Sequence, residues 1–150
     1  MRNFIIILLF FPALIFAQEK IEISHLSKAI NTVGAELNFF QNEKEQAFFT
    51  AIREENDDFI SSIYSTEFQL GEWSKGKYFE VFNSDNFESG NIFITKDKEA
   101  FFTFCANEKC AIYQSHFKKE RWTTPKRLDE RINKTPSTSS QPTIAETDAG

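Results

Sequence analysis

The sequence predicts an all-β fold, because its composition favours strands and because it repeats itself about every 50 residues. The chain contains 18 Phe among 150 residues. Beyond the first 17 residues these lie in short runs with Ile, Val, Tyr and Thr, residue types that suit a pleated, half-buried surface. The best helical window, Leu26 to Leu37, is broken by the segment 31–34. We therefore expect strands and little helix.

Four sequence markers recur in the same order and reveal the repeat. They are Ala-Phe-Phe-Thr at 47–50 and 100–103, Ile-Tyr at 63–64 and 112–113, Trp73 and Trp122, and Asn31, Asn83 and Asn133. Their offsets run from 49 to 53, and the charged segment 53–58 supplies the extra residues of the first copy. A loop that changes length between matched strands is typical of stacked copies of one supersecondary unit.

Each copy is expected to contain four strands separated by polar turns. The predicted strands are Asn38 to Gln41, Gln46 to Ile52, Phe59 to Glu67 and a weaker Tyr78 to Phe82 in the first copy, and Asn91 to Thr95, Glu99 to Cys105, Cys110 to Phe117 and Lys126 to Ile132 in the second. Four antiparallel strands in about 50 residues make one propeller blade, whereas a β-sandwich, the main alternative, has no reason to repeat its sequence. The prediction is thus a partial β-propeller, with blades at 30–81 and 82–131 and the start of a third at 132–150.

The repeat resembles a known family. The segments Ala111 to Ser115 and Trp122 to Leu128, followed by Ile132-Asn133 and Ser140 to Pro142, are similar to the WD-type, TolB-like β-propeller repeat. The resemblance covers about residues 31–150 and implies an envelope protein of the Bacteroidetes type, of the kind often followed by a peptidoglycan-binding module of the outer-membrane protein A family. The copies are degenerate, since the usual Asp-Gly turn between the first two strands is absent from both, so no family ligand contact is carried over.

Several residues are assigned to the structure of the repeat rather than to chemistry. They are Asn31, Phe48, Phe49, Tyr64, Trp73, Asn83, Phe101, Phe102, Tyr113, Trp122, Pro125 and Asn133. The two tryptophans could stack on a sugar or a peptide, but their recurrence in register favours packing against a neighbouring blade.

The N-terminus reads as an export signal. One positive charge precedes the uncharged run 4–17, which is short for a membrane span and ends in a small residue before an abrupt polar switch. We expect cleavage after Ala17, a lead-in at 18–29 and a periplasmic or outer-membrane-associated protein; the alternative is a retained anchor. Because the third copy stops at Gly150 and propellers need about four to eight blades, the chain is expected to be a fragment or to be completed by partner chains.

Cys105 and Cys110 flank the loop 106–109 and could face each other on neighbouring strands. An oxidising compartment favours a disulfide, with free thiols or a metal site as alternatives. A metal site would want more ligands, and the only histidines, His25 and His116, are not spaced near the cysteines.

No catalytic, cofactor or metal residues are predicted. The chain lacks a nucleophile elbow, a zinc-protease motif and a phosphate loop, and strand geometry disfavours a cysteine–His116 pair. The acidic run 54–58 lacks the spacing of a calcium loop and is expected to be a solvated hairpin tip. The acceptor pattern at 133–135 carries almost no information in a bacterium.

These observations favour a non-catalytic binding or scaffold module. The formal net charge of −5 disfavours nucleic acid and anionic membrane as partners. We expect an envelope protein or a peptidoglycan-associated partner, with membrane contact only through that partner or a further C-terminal module. The alternative is a substrate-gating propeller of an exported peptidase or hydrolase, with its catalytic domain beyond Gly150.

Overall fold

The structure is a computed structural model that describes residues 25–43, 45–55 and 57–145. The predicted signal peptide, its cleavage point after Ala17 and the end of the chain at Gly150 lie outside the described residues. The strands are β1 (Ala35–Glu43), β2 (Gln46–Glu55), β3 (Asp58–Gln69), β4 (Glu72–Trp73), β5 (Lys77–Tyr78), β6 (Glu88–Ile94), β7 (Glu99–Ala106), β8 (Lys109–Lys118), β9 (Arg121–Trp122) and β10 (Lys126–Arg127). A single-turn 3-10 helix spans Glu80–Phe82. The all-β prediction is confirmed.

The strands form two curled antiparallel sheets with the same internal order. In the first sheet β1, β2 and β3 are neighbours, and β3 also pairs with β4 and β5. In the second sheet β6, β7 and β8 are neighbours, and β8 also pairs with β9 and β10. Matched side chains face each other across the central pair, with Phe49 opposite Tyr64 and Phe102 opposite Tyr113.

Tight turns join the third strand of each sheet to the short strand that follows it. Leu70 and Gly71 connect β3 to β4, and Lys119 and Glu120 connect β8 to β9, all with positive φ. Two successive residues at positive φ make the turn whose twist matches that of the flanking strands. The polar sequence predicted turns at these places. Three of these four residues are not glycine, so their positive φ values carry some backbone strain.

The main core lies between the two sheets. Phe48 and Ile63 of the first sheet pack against Phe102 and Phe104 of the second, and Phe82 lies between them. Phe82 has no exposed surface, and its ring centroid is 4.8 Å from that of Phe102. A smaller cluster of Ile30, Phe49 and Ala51 covers the other face of the first sheet, with Leu26, Tyr64 and Trp73 packed against it.

The structure corrects three details of the predicted elements. The predicted fourth strand at 78–82 is instead the short β5 followed by the 3-10 helix, and its counterpart at 126–132 forms strand only at Lys126–Arg127. These segments leave the sheet edge because the chain forms a turn that ends at Asn83 in the first copy and at Asn133 in the second. The charged segment 53–58 is mostly strand, since β2 continues to Glu55 and β3 begins at Asp58. The first strands also begin three residues earlier than predicted.

Candidate binding cleft between the sheets

Buried asparagines hold the connections between successive strands in place. The amide of Asn133 donates to the carbonyls of Ile112 and Leu128 at 2.8 and 2.9 Å and accepts from the Ile112 N–H at 2.8 Å. Asn83 makes the same bonds to the Ile63 peptide and to the Phe79 carbonyl. Both side chains are nearly inaccessible, at 1% and 9% exposure, so each carboxamide replaces the backbone partners that a further strand would have provided.

A second contact joins the central strand of each sheet to the part of the chain that opens the next copy. The Asn91 N–H donates to Thr50 Oγ1 at 2.9 Å, and the Gln141 N–H donates to Thr103 Oγ1 at 3.3 Å. Asn91 and Gln141 both have positive φ, as does Asn38. Next to Asn91, a Cβ on Gly90 would lie 3.0 Å from the Thr50 side chain, so glycine permits this close approach of the sheets.

With the sheets held in this way, an open cleft of about 490 Å³ forms at one end of the molecule. Its lining residues are Glu55, Ile60, Ser62, Tyr78, Ser84, Asp85, Asn86, Phe87, Glu88, Cys105, Ala106 and Asn107. The β2–β3 turn, the β7–β8 turn and the connection 84–87 therefore meet at the same end. Ser61 Oγ donates to Glu88 Oε2 at 3.3 Å, which links β3 to the start of β6 beside the cleft.

The cleft is acidic. The charged side chains among its described lining residues are Glu55, Asp85 and Glu88, all carboxylates. Partial burial, together with the negative charges of Asp85 and Glu55 among its neighbours, raises the pKa of Tyr78 above its usual value. The phenol therefore stays protonated and can donate a hydrogen bond over the whole physiological range. Such a surface suits a cationic or hydrogen-bonding group on a ligand.

The two cysteines form a disulfide at the rim of this cleft. Cys105 and Cys110 are directly opposed on β7 and β8, with Cα atoms 4.0 Å apart. Both thiols are consumed, so neither is a nucleophile paired with His116. His116 lies on β8 and contacts Glu99, with Nδ1 3.0 Å from the carboxylate. Within the described residues no group of three or more His, Cys, Asp or Glu side chains is placed to hold a metal ion.

The two tryptophans occupy matched positions in the sheets. Trp73 lies edge-on to Phe68 at 5.2 Å, and Trp122 lies edge-on to Phe117 at 5.3 Å. Each is partly buried against the residue that precedes a marker asparagine. Trp73 packs against the cluster that contains Ile30, and the ring centroid of Trp122 lies 5.1 Å from that of Phe82. Neither tryptophan lines the acidic cleft.

The other predicted structural residues lie in the interior or at its edge. Phe48, Phe49, Phe101 and Phe102 are buried, Tyr64 and Tyr113 are partly buried, and Pro125 lies partly buried between β9 and β10. Asn31 is exposed, unlike its two counterparts. Asn133 is buried with its amide fully bonded, so it is not accessible to glycosylation.

The sequence did not reveal the cleft residues. Asp85, Asn86 and Glu88 follow Asn83 in a segment that has no repeated motif, and only the fold brings them into one cleft with Glu55 and Tyr78. The bridging role of the asparagines was also missed, although their recurrence marked the positions. Their amides bond to residues 20 and 21 positions away, which no local pattern encodes.

The fold and site define the chain as an all-β protein of two curled antiparallel sheets with an acidic cleft at one end. No protein-family model, curated protein or solved structure matches it. In the parts of the chain that the structure describes, no helix has the length and apolar character needed to cross a membrane.

Proposed function

We propose that this chain is a non-catalytic binding module of an exported bacterial cell-envelope protein, in which the two sheets are successive blades of a TolB-like β-propeller. The observation that carries the proposal is the matched bonding of the sheets. Asn83 and Asn133 bridge to the third strand in the same way, and Thr50 and Thr103 each accept a bond from the following copy. Stacked units of one kind provide broad surfaces for recognition without a built-in reaction.

The acidic cleft is the surface that we assign to recognition. It collects three connecting loops, and loops on a rigid scaffold are where binding residues concentrate. Its carboxylates and the Tyr78 hydroxyl favour a partner with cationic or hydrogen-bonding groups. An envelope protein with a basic segment fits this description, as do the amino groups of peptidoglycan stem peptides.

Co-sedimentation of the purified full chain with isolated peptidoglycan sacculi tests the cell-wall form of the proposal. The cleft variant is Asp85→Asn with Glu88→Gln, which removes two charges from the lining. Its matched control is Glu72→Gln with Glu120→Gln, two exposed carboxylates at the β3–β4 and β8–β9 turns, which lie at the end of the sheets away from the cleft. We expect retention on sacculi to fall about fivefold or more in the cleft variant and to persist in the control, because charge complementarity is lost only in the first.

Site-specific photo-crosslinking in an exporting bacterial host tests the protein form of the proposal. A photoreactive residue at Asn86 in the cleft should give a defined adduct, whereas one at Lys119 at the far end of β8 should not. The proposed role is wrong if the chain is not retained on sacculi and the photoreactive residue at Asn86 gives no defined adduct. A nucleophile elbow encoded downstream of Gly150 would instead assign the chain to substrate gating in a hydrolase.

A further inference from the structure

Three turns of the chain have the same internal structure. Each ends in a marker asparagine whose amide donates to a carbonyl four or five residues earlier: Asn31 to Leu26 at 2.8 Å, Asn83 to Phe79 at 3.0 Å and Asn133 to Leu128 at 2.9 Å. In each turn the asparagine N–H also donates to a carbonyl three or four residues back. The first turn is therefore built like the other two.

The second and third turns use their remaining bonding groups to hold a strand. The peptide of Ile63 on β3 donates its N–H to Asn83 Oδ1, and its carbonyl accepts from Asn83 Nδ2 and from the Phe79 N–H. The peptide of Ile112 on β8 is held in the same way by Asn133 and by the Leu128 N–H. Each turn thus presents two donors and one acceptor to a single residue of an extended strand.

The first turn presents the same groups without such a strand among the described residues. Asn31 is exposed, and its one side-chain hydrogen bond there is the internal one to Leu26. The turn is nevertheless firmly seated, because Ile30 is 1% exposed and packs beside Phe49, as Phe82 packs beside Phe102. The Asn31 carboxamide and the Leu26 N–H are therefore preorganised, which lowers the entropic cost of binding.

We propose that Asn31 and Leu26 form a capture site for an extended β-strand of a partner polypeptide. The edge of an antiparallel sheet exposes the N–H and C=O of the same residue side by side, and a carboxamide complements that pair. The expected partner residue is apolar, as Ile63 and Ile112 are, and its carbonyl accepts from Leu26 and from Asn31 Nδ2. The inference rests on the three turns and does not depend on the proposed role of the cleft.

A second copy of this chain is not the expected occupant. In the part of the chain that the structure describes, its strands of the right kind are β3 and β8, and the peptides that would bind are already held by Asn83 and Asn133. If either peptide bound to another molecule, a buried asparagine would lose its hydrogen-bond partners, which costs free energy. The occupant is a strand whose edge is free, such as the third strand of a sheet of this kind that lacks its own asparagine turn.

Titration of the isotope-labelled full chain with a synthetic β3 peptide, DFISSIYSTEFQ, followed by NMR, tests this inference. We expect the side-chain amide signals of Asn31 and the backbone amide of Leu26 to shift on binding. Asn31→Ala should weaken binding about tenfold or more, because two hydrogen bonds to the peptide are lost. Glu130→Ala, at an exposed position of the third turn and outside both the cleft and the proposed capture site, is the control and should bind as the parent does.

A peptide that carries an N-methyl group at the position of Ile63 separates strand capture from apolar adhesion. It keeps the side chain but cannot donate to Asn31 Oδ1, so its binding should also fall about tenfold or more. Equal binding of the methylated peptide or of the Asn31→Ala variant would overturn the inference. The inference is also overturned if the NMR signals that shift belong to β1 and not to Asn31, or if the peptide does not bind.

Discussion

At the residue scale, the buried asparagines contribute more to this fold than their small number indicates. Asn133 satisfies three backbone groups that would otherwise be buried without partners. A neutral hydrogen bond contributes about 1 kcal/mol net, but an orphaned buried group costs about 1 to 3 kcal/mol. The asparagine therefore matters chiefly through the cost of its absence.

Replacing Asn133 with Ala should lower the free energy of unfolding by about 3 kcal/mol. The truncation leaves the Ile112 N–H and two carbonyls without their partner in a buried place. Urea denaturation followed by Trp fluorescence measures the loss. Asn86→Ala, at an exposed position, is the control and should change stability by about 0.5 kcal/mol or less. Equal effects of the two substitutions would contradict the bridging role.

At the element scale, the β7–β8 hairpin combines a tight turn with a cross-link. Asn107 and Glu108 both have positive φ, and the disulfide joins the directly opposed Cys105 and Cys110 just before and after the turn. Polar residues between two apolar runs predicted this hairpin, and the opposed positions of the cysteines in an expected oxidising compartment favoured the bridge over free thiols or a metal site. The β2–β3 hairpin has the same pairing but no cysteines.

Replacing both Cys105 and Cys110 with Ser should lower the free energy of unfolding by about 2 kcal/mol. The bridge closes a short loop, with a sequence separation of 5, so it restricts the unfolded chain less than a long-range disulfide would. Urea denaturation of the parent with and without reductant gives an independent measure of the same quantity. A double variant as stable as the oxidised parent would show that the bridge adds nothing to folding.

Some elements could be predicted from local sequence and others could not. The long strands were found because runs such as Ala47 to Ile52 are rich in aromatic and β-branched residues. Their extension through the charged residues 53–58 was missed, since pairing of Glu55 with Asp58 continues the ladder despite unfavourable composition. The prediction of a fourth strand was wrong in both copies, because the chain turns at Asn83 and Asn133, whose side chains bond to distant peptides.

At the scale of the whole molecule, the two sheets share one core. Phe82 comes from the connection between the sheets and contacts both of them: Phe48 on one side, and Phe102 and Trp122 on the other. Neither sheet can keep its aromatic face out of water without the other, so we expect the molecule to unfold as a single cooperative unit.

Replacing Phe82 with Ala should cost about 4 kcal/mol and weaken both sheets together. The substitution removes a fully buried ring from the contact between them and leaves a cavity. Hydrogen exchange should show faster opening in β2 and β7 alike. Val81→Ala, at a half-exposed neighbour, should have little effect. Faster exchange confined to one sheet would show that the sheets fold independently.

The sequence by itself determined the all-β class, the positions of the long strands and the turns between them, because each depends on residues close together in the chain; it favoured the Cys105–Cys110 disulfide over free thiols or a metal site, and the structure contains that disulfide. The tertiary structure alone decided the bridging role of Asn83 and Asn133, the early end of the predicted fourth strands and the acidic cleft that Asp85 and Glu55 both line. These depend on bonds and contacts between distant residues, and only the packing of the two sheets brings those residues together.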